Sequence, residues 1–86
     1  MALRLYGRII KGKKILKEAV VENNEAIPYN DALEHCLIAV CKELDVQVPM
    51  WLKNNTSEFV SYRRTFFREE HFVEAIKFDK LEIRVE

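Results

Sequence analysis

The sequence predicts a small α+β domain: an N-terminal β-hairpin, two helices and a C-terminal strand, forming a small antiparallel sheet with helices on one face. Three observations carry that prediction. Both ends of the chain alternate apolar and polar residues with a period of two, the mark of half-buried strands. The middle carries an apolar stripe at helical spacing. Only two glycines and two prolines interrupt 86 residues, so no linker divides the chain and residues 1–86 read as a single domain.

Along residues 3–10, Leu3, Leu5, Gly7 and Ile9 fall on one side and Arg4, Tyr6, Arg8 and Ile10 on the other. Lys11-Gly12-Lys13-Lys14 is a turn in which Gly12 can take positive φ, and Ile15 to Glu22 is the returning strand. Asn23-Asn24-Glu25 is a polar loop. Asn30 or Asp31 then caps a helix over about 30–45, with Asp31 and Glu34 spaced as a capping box. Its stripe is Leu33, Cys36, Leu37, Val40, Cys41 and Leu44, the i, i+3, i+4, i+7 pattern that packs on a core.

Val48-Pro49 ends that helix, because the residue before proline avoids the αR region. Proline suits a first helical turn, so Pro49 to Lys53 is expected to begin another helix. A further helix is expected over about 57–67, capped by Thr56 or Ser57 and ending in a distorted turn near Arg68-Glu69-Glu70. The period over 72–78 fits strand and helix alike. Leu81, Ile83 and Val85 alternate with Glu82, Arg84 and Glu86 as a closing strand,.

At this length a chain buries roughly 60–65% of its unfolded surface, enough for one core. The longest apolar run, Cys36 to Cys41, is six residues, far below the roughly 20 that span a bilayer. The first residues show no apolar signal core, and two cysteines form no disulfide framework. At a separation that rotates them about 140° on a helix, Cys36 and Cys41 neither bridge nor chelate together. These features lead to the expectation of a cytoplasmic protein that does not insert in membranes. Net charge is zero, yet six basic residues and no acid fall within the first 17, so the N-terminal segment is a candidate anion-binding edge. The plainer alternative is two halves of one fold that neutralise each other.

Catalytic and cofactor motifs are missing. His35, Cys36, Cys41 and His71 show no zinc-ligand spacing, and two glycines build no phosphate cradle. A small enzyme using a Cys–His pair needs a thiol of lowered pKa beside its base, whereas both cysteines sit on the helix's core stripe. The reading is therefore a non-catalytic interaction or scaffold module without a cofactor, whose partner is an unknown protein or a second copy. Pro49, Met50, Trp51 and Leu52 are the candidate contacts, because exposed Met and Trp make docking patches; buried, they complete the core. A sheet edge is the other candidate. The alternative function is nucleic-acid binding through Arg8, Lys11, Lys13 and Lys14 of the hairpin with Arg63, Arg64 and Arg68. The segment Tyr62-Arg63-Arg64-Thr65-Phe66-Phe67-Arg68 mixes rings that stack bases with cations that pair phosphates. Against it stand overall neutrality and the need for Phe59, Phe66, Phe67 and Phe72 to fill a core.

The stretches Asp31-Ala32-Leu33-Glu34 to Leu44-Asp45, Val48-Pro49-Met50-Trp51-Leu52, Phe59 and Phe78-Asp79-Lys80-Leu81-Glu82-Ile83 resemble a group of short bacterial hypothetical proteins. The resemblance spans most of the chain. That group has no established function, so it implies no site, substrate or partner.

Overall fold

The computed structural model describes residues 3–85. Strands β1 (Leu3–Lys11) and β2 (Lys14–Asn23) form the expected hairpin. Gly12 turns it with φ +60°, a conformation glycine adopts without steric penalty. Asp79 secures the turn: its carboxylate accepts from the Gly12 N–H, and its own N–H donates to the Ile10 carbonyl at 2.9 Å. Helix α1 covers Tyr29–Glu43, helix α2 covers Lys53–Tyr62, and strands β3 (Arg64–Phe67) and β4 (Lys80–Val85) follow. The described residues form a four-stranded sheet in the order β2-β1-β4-β3, antiparallel throughout. The fold is the α+β class read from the sequence.

Helix α1 departs from its expected cap. Pro28 stands at the N-cap, and its carbonyl accepts the Ala32 N–H at 3.0 Å; no side chain caps this end. Asp31 lies instead in the first turn, where its charge favours the helix dipole. The helix closes with two bonds, Val46 N–H to the Cys41 carbonyl and Asp45 N–H to the Lys42 carbonyl. This is the Schellman arrangement, with Asp45 at φ 58° in the position where glycine is usual.

The expected helix start at Pro49 is not formed. Residues 46–52 run without regular structure, held by a 2.7 Å bond from the Met50 N–H to the His71 carbonyl. Helix α2 begins only after Leu52, whose N–H donates to Asn55 Oδ1 at 2.8 Å; neither Thr56 nor Ser57 caps it. Nor does a helix run to residue 67. Arg63 adopts the left-handed conformation at φ 58° and ends α2. Residues 64–67 then pair with β4 as a strand, because Thr65 and Phe67 bury on one face while Phe66 turns to the other. Tertiary pairing decides this segment. A single 3₁₀ turn over Glu69–His71 follows, and residues 72–78 are neither strand nor helix. The Val73 and Glu74 N–H groups of that segment share the Gln47 side-chain oxygen at 3.1 and 3.3 Å.

The core lies against the odd-numbered side of β1. Leu5, Cys36, Val40, Cys41, Leu44, Phe67, Leu81 and Ile83 are its most buried apolar members. Gly7 lets α1 approach: a Cβ there would stand 3.0 Å from Val40 Cγ1 and 3.3 Å from Leu44 Cδ1. Helix α2 packs on the same face, since its Asn55 reaches Thr65. Phe72, Ile76 and Phe78 join the same cluster from the 72–78 segment. Among the described residues, every covering element thus lies on one side. The opposite face of the sheet is open.

Candidate functional site

In an antiparallel sheet, directly opposed residues share a face, so the register spells out what the open face presents. Val20, Tyr6, Arg84 and Arg64 form one row across the four strands; Glu18, Arg8, Glu82 and Phe66 form the next. Ile10 stands opposite Lys80 in a third, and Arg4 pairs with Glu22 at the far end of the hairpin. By position the face holds five cations, Arg4, Arg8, Arg64, Lys80 and Arg84, against Glu18, Glu22 and Glu82. Ten acidic residues fall instead in the helices and loops. Of the six cations in the first 17 residues only Arg4 and Arg8 lie on this face; Arg64, Lys80 and Arg84 come from the later, acid-rich part of the sequence.

Two aromatic rings sit among those cations. Arg84 lies over the Tyr6 ring at 4.7 Å from its centroid and Arg8 at 5.4 Å. Lys80 lies over the Phe66 ring at 4.7 Å and Arg68 at 5.7 Å. Both rings are half-buried by these neighbours. Such contacts hold a cation over the negative face of the ring. Between the rings, Arg8 donates twice to Glu82 Oε1, from Nε at 2.8 Å and from the terminal nitrogen at 2.7 Å. Glu82 is only 4% exposed, so this pair fixes the centre of the face. The Tyr6 phenol is held above its ordinary pKa, first by desolvation and then by its hydrogen bond to Glu18 and that group's charge. Arg8 and Arg84 pull it the other way.

The placement of Phe66 comes from a buried network. Asn55 Nδ2 donates to Thr65 Oγ1 at 2.7 Å and to the Phe66 carbonyl at 3.2 Å, and the Thr65 hydroxyl donates to Glu58 at 2.8 Å. Asn55 and Thr65 are fully buried, and together with the Leu52 N–H these bonds satisfy both ends of the amide. Buried polar groups of this kind fix geometry because leaving any one unpaired is costly. They lock β3 so that Thr65 points in and Phe66 points out.

The expected nucleic-acid contacts divide by place. Arg8 and Arg64 lie on the open face. Lys11, Lys13 and Lys14 are exposed at the hairpin tip, at the end of the sheet where Lys80 and Arg68 also stand. Arg63, exposed, occupies the left-handed residue between α2 and β3. The sequence left Phe66 between a base-stacking ring and a core residue, and did not single out Tyr6, Lys80 or Arg84 as contacts. Arg64-Thr65-Phe66-Phe67 carries no alternation of its own; the alternation of burial that turns Phe66 outward comes from pairing with β4.

The expected protein contacts divide as well. Pro49 is buried, Trp51 is half-buried, and Met50 and Leu52 are exposed. Trp51 packs edge-on to Phe59 with centroids 5.5 Å apart, tilts against Phe67 at 5.7 Å, and donates to Thr56 Oγ1 at 2.8 Å. Beside it, an open groove of about 520 Å³ runs between α1 and α2, with Tyr29, Leu33, Val48 and Val60 along it. Of the sheet edges, β2 carries a bulge at Leu16 and the charged residues Lys14, Lys17, Glu18 and Glu22, features that discourage edge pairing. At β3, Asn55 already occupies the Phe66 carbonyl.

The thiols are inert by position. Burial raises the Cys36 pKa and pushes Cys41 up to about 12, the opposite of what a thiolate nucleophile requires. The Cys36 thiol is directed at the Leu3 carbonyl, 3.9 Å away. His71 is buried with its Nδ1 accepting the Arg68 N–H at 3.1 Å. His35 stands on the surface, 3.4 Å from Glu25. Comparison with protein families, with curated proteins and with solved structures finds no match for this chain.

Proposed function

We propose that this protein is a non-catalytic binding module whose working surface is the open face of its sheet, and that its ligand is a nucleic acid. One observation carries the reading: the covering elements gather on one side, and the bare side sets two aromatic rings among five cations. Cations neutralise phosphates, and rings with stacked guanidinium groups receive bases. The hairpin-tip lysines Lys11, Lys13 and Lys14 extend the cationic surface beyond the sheet. The neutral net charge does not oppose this, since the acids that balance it lie mostly away from the face.

Fluorescence anisotropy of labelled oligonucleotides, titrated at several salt concentrations, tests the reading. Binding should weaken with salt at about 0.7 log units per log unit of salt for each phosphate neutralised on a single strand. Arg64→Glu should weaken it and flatten that dependence. Absence of binding at low salt would refute it.

A second reading, favoured by the exposed Tyr29, Val48, Met50 and Val60 around the groove, is self-association through that apolar surface. Sedimentation equilibrium over a wide concentration range should then show a dimer that Val60→Lys dissolves; a monomer throughout would dismiss it.

A further inference from the structure

We infer that the ligand of the open face is single-stranded, with two unstacked bases received at Tyr6 and Phe66. Each base stacks on a ring face in place of a cation that covers it, and the displaced cation turns to the adjoining phosphate. This deepens the nucleic-acid reading and rests on it. Tyr6 is on β1 and Phe66 on β3, two strands away and one row along. Strand spacing and rise put them roughly 10 Å apart across the sheet and about 7 Å along it. Successive bases of a duplex are stacked on each other about 3.4 Å apart, so their faces are already occupied. A duplex therefore meets this surface only through phosphates. A single strand can splay its bases onto separate rings.

The distribution of charge agrees. Each ring has its own cations, Arg8 and Arg84 at Tyr6 and Lys80 and Arg68 at Phe66. A backbone running diagonally from one ring to the other passes between these groups and crosses the Arg8–Glu82 pair. Glu82 is the one carboxylate in that path, and Arg8 neutralises it. The rings sit too far apart for two bases stacked on each other, so the two that bind must be unstacked.

Anisotropy titrations of the full chain decide the matter with three probes of equal length or charge: an unstructured single strand, its duplex, and inorganic polyphosphate. The single strand should bind at least ten-fold more tightly than either of the others. Tyr6→Leu and Phe66→Leu should each lower single-strand affinity about 5- to 100-fold, within the range for one lost base stack, without changing the salt dependence. Glu82→Gln, which removes a negative charge and keeps the shape, should strengthen binding to all three probes. Circular dichroism and thermal melting of each variant separate lost binding from lost fold. Equal affinity for all three probes, or leucine variants that fold and bind like the parent, would overturn the single-strand inference while leaving polyanion binding standing. No binding to any probe would overturn both.

Discussion

The two faces of the sheet are built from the same strands and obey different rules. On the covered face, Leu5, Phe67, Leu81 and Ile83 are fully buried, and α1 lies so close that a Cβ at position 7 would press on Val40 and Leu44. Shape dominates there. On the open face, Tyr6 and Phe66 are partly sheltered by guanidinium and ammonium groups, and the buried carboxylate Glu82 is held down by Arg8. Charge dominates there. Aromatic rings occur on both, so ring content alone distinguishes nothing; what differs is the company each ring keeps. A ring among Leu and Ile packs the core, and a ring among Arg and Lys holds cations over its face.

The neighbours Phe66 and Phe67 offer the largest test of that difference. Phe67→Ala should cost about 3–5 kcal/mol by urea denaturation, the range for an aromatic removed from a core. Phe66→Ala should cost no more than about 1 kcal/mol, the scale of a cross-strand pair. Similar losses at both positions would erase the distinction between the faces. Next comes Asn55→Ala, expected to cost about 2–3 kcal/mol because it strands the Leu52 N–H and weakens the hold on β3. Its nucleic-acid affinity should fall as well, since Phe66 is positioned through that network. Arg8→Ala should lose about 2 kcal/mol by leaving the buried Glu82 carboxylate without its partner.

A smaller effect is expected from pH. Cys41, with a folded pKa raised from 9.0 to about 12, keeps its proton in the folded protein when an unfolded chain would release it. The folded state then binds more protons than the unfolded state between these values, so stability present below pH 9 should decline as pH rises toward 12. Urea midpoints measured across that window, with Cys41→Ala as the control lacking this term, check it. The smallest change is a gain: Asp45→Gly should stabilise by about 0.5–1 kcal/mol, because it relieves a left-handed aspartate and removes a negative charge from a helix C-terminus. A thermal melt reads it.

The hairpin, α1 and the final strand were legible because each is a local pattern: alternation in 3–10 and 80–85, and the stripe from Leu33 to Leu44. The segment 49–67 was not. Pro49 and the residues after it favour a helical turn locally, but the Met50 N–H is taken by the His71 carbonyl, a partner 21 positions away. Thr65 to Phe67 read as the end of a helix because Phe59, Val60 and Phe67 are all apolar. Only the pairing with β4, which no local pattern contains, makes them a strand. The same limit explains the site. Arg8 and Arg64 were recognised as cations near rings, whereas the opposition of Tyr6 with Arg84, or of Phe66 with Glu82, depends on register.

The placement of β4 between β1 and β3 also sets the order of assembly. Leu5 stands opposite Val85 and Ile10 opposite Lys80, so the central ladder of the sheet joins residues separated by nearly the whole chain. Such contacts must close a long loop before they repay it, which slows folding relative to helical domains of similar size. During synthesis the β1–β2 hairpin and α1 can form early, but one side of β1 stays unpaired until the last strand emerges. The protein therefore passes through a stage with a bare, partly apolar strand edge, the condition most prone to aggregation.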